Sequence, residues 1–134
     1  MTRPRTRSEQ LSAPVRIELP AVPESLRTVR QVLRDWLPAA GLSPDKIDDV
    51  VLAVTEVCTN AIEHGYRDHV GTVSVEAWQS GSSIRIVVID HGCWQPPQPS
   101  GLRGRGLSLV RALIPEVELE TGSTGTSVEL RLPV

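Results

Sequence analysis

The stretch "TEVCTNAIEHGY", residues 55–66, carries Glu56, Asn60, Glu63 and His64 on one flank of an otherwise apolar segment. Residues four apart on a helix lie one above the other, so Glu56 and Asn60 share a line that His64 extends if the last turn holds. Glu63 sits beside them. An isolated Glu–Asn pair at this spacing is ordinary on a solvated helix flank, so a site here needs company from elsewhere in the chain. Two further groups supply it. Asp90 stands where an apolar run empties into "HG" (91–92). A carboxylate at that position can accept a hydrogen bond from an exocyclic amine, and Gly92 lets a flat ring approach the backbone. The segment "GLRGRGL" (101–107) then leads into a helical pattern. Free backbone N–H groups and the helix dipole would favour phosphate there, and Arg103 and Arg105 add charge. The Gly-Lys-Ser/Thr of a P-loop is absent, and the glycines do not follow a strand with dinucleotide-binding spacing.

Local patterns define the elements that must position these groups. "VRIEL" (15–19) alternates as a strand, and Leu26, Val29, Val32, Leu33, Trp36 and Leu37 recur at helical spacing, with Gly41 as a C-cap. Ser43, Pro44 and Asp45 form a helix start: a cap oxygen, a proline at the first position and an acid at the positive dipole end. The second helix buries Ile47, Val50, Val51, Val54, Val57, Cys58, Ala61 and Ile62, and Gly65 ends it. The period then falls from 3.6 to 2. "TVSVEAWQ" (72–79) and "SIRIVVID" (83–90) make a hairpin, the second strand apolar enough to be central. Residues 91–106 hold four glycines and three prolines and read as a long loop, near the upper limit for a loop without a function. "LSLVRALI" (107–114) is a short helix with Leu107, Val110 and Leu113 or Ile114 inward, and "EVELET" and "TSVELRL" close the chain as a hairpin. The expected fold is α+β: a two-layer α/β sandwich with a mixed, mostly antiparallel sheet and helices on one face.

The chain has 134 residues, 40% of them hydrophobic, which is the size of one domain with a real core. Residues 1–13 are polar and aperiodic and read as a flexible tail, leaving a domain over 14–134. A net charge of -2 with scattered cations argues against direct nucleic-acid binding or a polybasic membrane anchor. No apolar run approaches the roughly 20 residues of a membrane span and no signal peptide is evident, so a cytoplasmic protein is expected. Cys58 and Cys93 lack metal-ligand spacing and read as reduced thiols.

Jointly and in order, the motifs resemble those of the GHKL ATPases. Glu56-x-x-x-Asn60 with Ala61 and His64 looks like the N box, "DHG" (90–92) like the G1 box, "GRGL" (104–107) like the G2 box, and "GTSVEL" (125–130) like the closing threonine strand. Within that superfamily, "LPAVPESLRTVRQVLRDWL" and "LSPDKIDDVVLAVTEVCTNAIEHGY" look most like bacterial anti-sigma factor serine kinases. The resemblance covers roughly residues 15–133 and implies the Bergerat fold, with ATP and Mg²⁺ as cofactors. It implies Asn60 as Mg²⁺ ligand, Asp90 on the adenine amine, Gly92 on the adenine edge, and Thr126 supporting the adenine pocket. Gly104, Arg105, Gly106 and Leu107 would line the phosphates, with Glu63, His64 and Arg103 as further nucleotide-binding residues. Glu56 would be the general base toward a serine or threonine hydroxyl of an anti-anti-sigma (STAS) protein. A sigma factor would be the second partner, and homodimerisation is a family expectation.

Independently of family, those roles are chemically sensible, because phosphoryl transfer needs positioning, charge neutralisation and a carboxylate to accept the hydroxyl proton. The sequence departs from the family at "CWQPPQPS" (93–100), short and proline-rich where many members carry a longer, glycine-bearing lid. That departure motivates the alternative of a non-catalytic, ATP-binding or nucleotide-free regulatory module. No histidine-containing dimerisation domain precedes the fold, so a complete sensor histidine kinase is not expected.

Overall fold

A computed structural model describes residues 13–65, 71–91, 102–122 and 125–134, giving the backbone course alone for 64–65 and 102–106. The expectations for the tail, for Gly92 and for the 93–100 segment lie outside the described residues. Strand β1 (Val15–Pro20) is followed by helix α1 (Ser25–Ala39), helix α2 (Pro44–Asn60) and a π-helical turn (Ala61–Gly65). Strands β2 (Thr72–Ser80) and β3 (Ser83–Asp90), helix α3 (Leu102–Leu113) and strands β4 (Glu116–Gly122) and β5 (Gly125–Pro133) complete the order.

The five strands form one sheet in the order β1-β2-β3-β5-β4, and every described pairing is antiparallel. The expected mixed sheet is therefore wholly antiparallel among the described residues. Its hairpins β2–β3 and β4–β5 need no crossover, and β1 joins β2 across the helical layer in antiparallel sense. β3 is central, as its near-continuous apolar run requires.

Alternation decides which face the helices cover. Val73, Val75, Ala77, Ile84, Ile86, Val88, Val128, Leu130 and Leu132 form one core cluster with Val29, Leu33 and Leu37 of α1, Val50, Val54, Val57 and Cys58 of α2, and Val110 of α3. The opposite face carries charge ladders such as Arg16–Glu76 at 3.1 Å and Arg131 with Glu129 at 2.7 Å and Glu116 at 3.0 Å. A sheet with one apolar and one charged face is a two-layer solution.

The helix boundaries follow their punctuation. At the end of α1, Gly41 takes φ +97° just past the cap, and Leu42 N–H reaches back to the Leu37 carbonyl at 3.3 Å. Ser43 caps α2, its Oγ accepting from Lys46 N–H at 3.5 Å, with Pro44 at the first position. Trp36 is half-buried against the core and its indole N–H donates to the Ala13 carbonyl at 2.9 Å, which ties the start of the sheet to α1. Among the described residues no helix is long and apolar enough to cross a membrane.

Candidate functional site

Asp90 is the last residue of β3, and its cross-strand partner in β5 is Thr126. Directly opposed residues of an antiparallel pair project to the same face, with Cβ atoms about 4.5–5.5 Å apart. Here that face is the helix-covered one, because Ile86 and Val88 precede Asp90, and Val128 and Leu130 follow Thr126, on the same alternation. An apolar ladder thus ends in a polar pair at the edge of the core. Asp90 is 2% exposed and Thr126 3% exposed.

Burying such groups costs free energy unless they are bonded. The Thr126 hydroxyl oxygen has no hydrogen-bond partner among the described residues. Asp90 and Thr126 are among the residues lining a cavity of about 300 Å³ at the end of the sheet, with Ile89, His91, the end of β4 (Glu120–Gly122), Gly125 and Ser127. A buried acceptor and an unsatisfied hydroxyl beside a cavity suit a ligand edge that offers both hydrogen-bond donors and acceptors.

The start of β5 is built to make this pairing. Gly125 has φ +143°, and a Cβ there would overlap the Asp90 carbonyl oxygen and lie 2.9 Å from His91 Cα. Only glycine fits. Sequence reasoning gave Gly125 no role of its own, and its signal was a glycine directly preceding the threonine of the closing strand. His91, Glu120 and Thr121, which line the same cavity, were likewise given no role.

On α2, Glu56 and Asn60 are half-buried, between the core stripe and the solvated face. The helix packs against α1, α3 and β3. Beyond Asn60 the line changes: residues 61–65 are π-helical, so His64 is not placed at α-helical spacing above Asn60. Single π turns inside helices are frequent at functional sites. Glu63 is exposed on this turn and makes an interaction of its own; the side chain of His64 is outside the described set. The cavity beside Asp90 and Thr126 does not include Glu56, Asn60 or Leu107 in its described lining.

α3 starts at Leu102 rather than at 107. The "GLRGRGL" segment is therefore mostly the first turns of a helix and not a loop preceding it. Gly104 and Gly106 lower intrinsic helicity by about 1 kcal/mol each relative to alanine, which is why the pattern suggested a later start. Packing of α3 on α2 and β4 offsets that cost. Leu107 is half-buried in this helix, and Val110 and Ile114 are buried as expected. The side chains of Arg103 and Arg105 lie outside the described residues.

Among the described residues no group of three or more His, Cys, Asp or Glu could hold a metal ion. Cys58 is fully buried in the core and burial pushes its thiol up to about 12, an inert structural thiol.

A family model described as a histidine kinase-like ATPase domain matches residues 19–132. A serine-protein kinase RsbW from Bacillus velezensis is 31% identical over 126 residues, spanning 81% of this chain and 79% of its own. An anti-sigma F factor from Thermoanaerobacter sp. is 35% identical over 107 residues, or 69% of this chain and 75% of its own. The solved structure of the RsbU and RsbW domains of Rv1364c from Mycobacterium tuberculosis superposes with a TM-score of 0.76 at 35% identity, covering 90% of this chain. This chain spans only 32% of that longer protein.

Proposed function

Because the chain belongs to the histidine kinase-like ATPase domain family, we propose that it is an ATP- and Mg²⁺-dependent serine/threonine-protein kinase that binds a sigma factor and phosphorylates an anti-anti-sigma protein of the STAS class. The observation that carries the reading is the buried Asp90–Thr126 pair with its unsatisfied hydroxyl, among the residues lining a cavity at the end of the sheet. The names of the two curated relatives, a serine-protein kinase and an anti-sigma factor, support the kinase and partner assignments. Residues 14–134 form the domain in this reading.

Asp90 accepts a hydrogen bond from the adenine amine, and Thr126 supports the adenine pocket beside it. Gly92 lies against the adenine edge. Asn60 supplies its amide oxygen to Mg²⁺, which when bound neutralises charge on the phosphates. Gly104, Arg105, Gly106 and Leu107 line the phosphates; Gly104 and Arg105 fall in the first turn of α3, which offers unsatisfied N–H groups and the positive dipole end. Arg103, Glu63 and His64 complete the nucleotide contacts. Glu56, one turn before Asn60, takes the proton from the incoming serine or threonine hydroxyl as its oxygen bonds to the γ-phosphorus and the bond to ADP breaks.

Calorimetry with ATP and ADP, with and without Mg²⁺, tests the pocket. Asp90→Asn removes a charge-assisted hydrogen bond worth about 1.5–3 kcal/mol, so affinity falls by about 10- to 150-fold. Asn60→Ala loses the Mg²⁺ dependence of ATP binding. Absence of nucleotide binding by folded wild-type protein contradicts the proposal.

A further inference from the structure

We propose that Gly125 is a positioning residue for base recognition, setting the separation of Asp90 and Thr126 so that both polar groups meet one edge of a 6-aminopurine; the inference rests on the adenine-nucleotide reading of this site. Two observations make a glycine necessary there. The backbone lies at φ +143°, which L side chains rarely adopt, and the missing Cβ is the space occupied by the Asp90 carbonyl oxygen, with Asp90 C at 3.0 Å and His91 Cα at 2.9 Å. The β5 backbone at Gly125 is thus pressed on the Asp90–His91 peptide. The next residue along is Thr126, the cross-strand partner of Asp90.

One contact therefore governs both recognition groups. Any side chain at 125 must move the start of β5 from β3 or rotate the Asp90–His91 peptide, by a displacement of about 1 Å to restore ordinary contact. Misplacement on that scale at a binding constellation costs on the order of 10²-fold. Backbone strain alone has a separate control in the same molecule. Gly81, in the β2–β3 turn, has φ +61°, but a Cβ added there would meet nothing within 4 Å.

The experiment compares affinities for ATP and for purine riboside triphosphate, which lacks the 6-amino group, in the full chain and in Gly125→Ala and Gly81→Ala. Wild type prefers ATP by at least about 10-fold, the worth of a charge-assisted hydrogen bond. Gly125→Ala brings the ratio at least about fivefold closer to one, on the scale expected of a misplaced binding group, whereas Gly81→Ala leaves it unchanged. A general loss of stability would weaken both ligands equally and leave the ratio intact.

A folded Gly125→Ala protein with wild-type preference overturns the inference and leaves the adenine reading standing. Wild type with no preference defeats the adenine reading itself. Should Gly125→Ala not fold, ¹⁵N-labelled wild type decides: the amide shifts of Gly125, Thr126 and His91 differ between the two ligands while that of Gly81 does not. Identical shifts at Gly125 and Thr126 overturn the proposal.

Discussion

Replacing Thr126 by valine should move stability and nucleotide affinity in opposite directions. The substitution exchanges a buried hydroxyl for a methyl of nearly the same shape and keeps the β-branched side chain that suits a strand. In the free protein the hydroxyl is buried, its residue being 3% exposed, and has no described partner. An unsatisfied buried hydroxyl costs about 1–3 kcal/mol, so its removal stabilises the empty protein by up to that amount. For a domain of 134 residues, about 3–4 °C per kcal/mol gives a Tm rise of about 3–12 °C. In the adenine pocket proposed above, the same hydroxyl would make a hydrogen bond worth about 0.5–1.5 kcal/mol, and its loss would weaken ATP by about 2- to 13-fold. Thermal unfolding with and without saturating ATP reads both effects in one assay: the variant's melt lies above wild type without ligand, and its ATP-induced shift is smaller. A variant that melts below wild type while keeping the full ATP shift would refute the reasoning, because the hydroxyl would then be satisfied in the free protein and unused by the ligand.

Two further outcomes follow from the core. The Cys58 thiol, pushed up to about 12 from 9.0 by burial, stays protonated in the folded state after the unfolded chain has released its proton; stability therefore falls as pH rises from about 9 to 12, by up to about 1.4 kcal/mol per unit. Denaturant melts across that window should show the slope in wild type and a shallower one in Cys58→Ala, and equal slopes would remove Cys58 as the cause. Leu130→Ala empties a fully buried position of β5 and should cost about 2–5 kcal/mol in urea unfolding; a loss under about 1 kcal/mol would mean that the inner face of β5 is not packed as described.

Particular residues explain how far the sequence could be read. Local signals were sufficient for α2, where Ser43, Pro44 and Asp45 mark the start and the apolar period runs unbroken to Ala61. The apolar density of residues 83–90 likewise identified β3 as central before any pairing was known. Three features rest on non-local physics. The π turn at 61–65 changes the hydrogen-bond period without changing the apolar one, so nothing in the side-chain pattern announces it. The early start of α3 at Leu102 sets tertiary packing against two glycines that disfavour helix. The pairing of Asp90 with Thr126 is a register between strands separated by a helix and another strand. Both residues could be nominated by motif, but the steric demand on Gly125 exists only once β5 lies against Asp90. For the same reason, the cavity rim at His91, Glu120 and Thr121 had no signature in the chain order.

The most direct test of the kinase assignment is transfer of the γ-phosphate of radiolabelled ATP to a serine or threonine of a STAS-class anti-anti-sigma protein, by wild type and by Glu56→Gln at equal nucleotide occupancy. The account predicts Mg²⁺-dependent labelling by wild type and a rate about 10²- to 10⁴-fold lower in the variant, with ATP affinity retained. Transfer at the wild-type rate by Glu56→Gln would strip Glu56 of its role as base, and no labelling by a wild type that binds ATP would contradict the kinase claim itself.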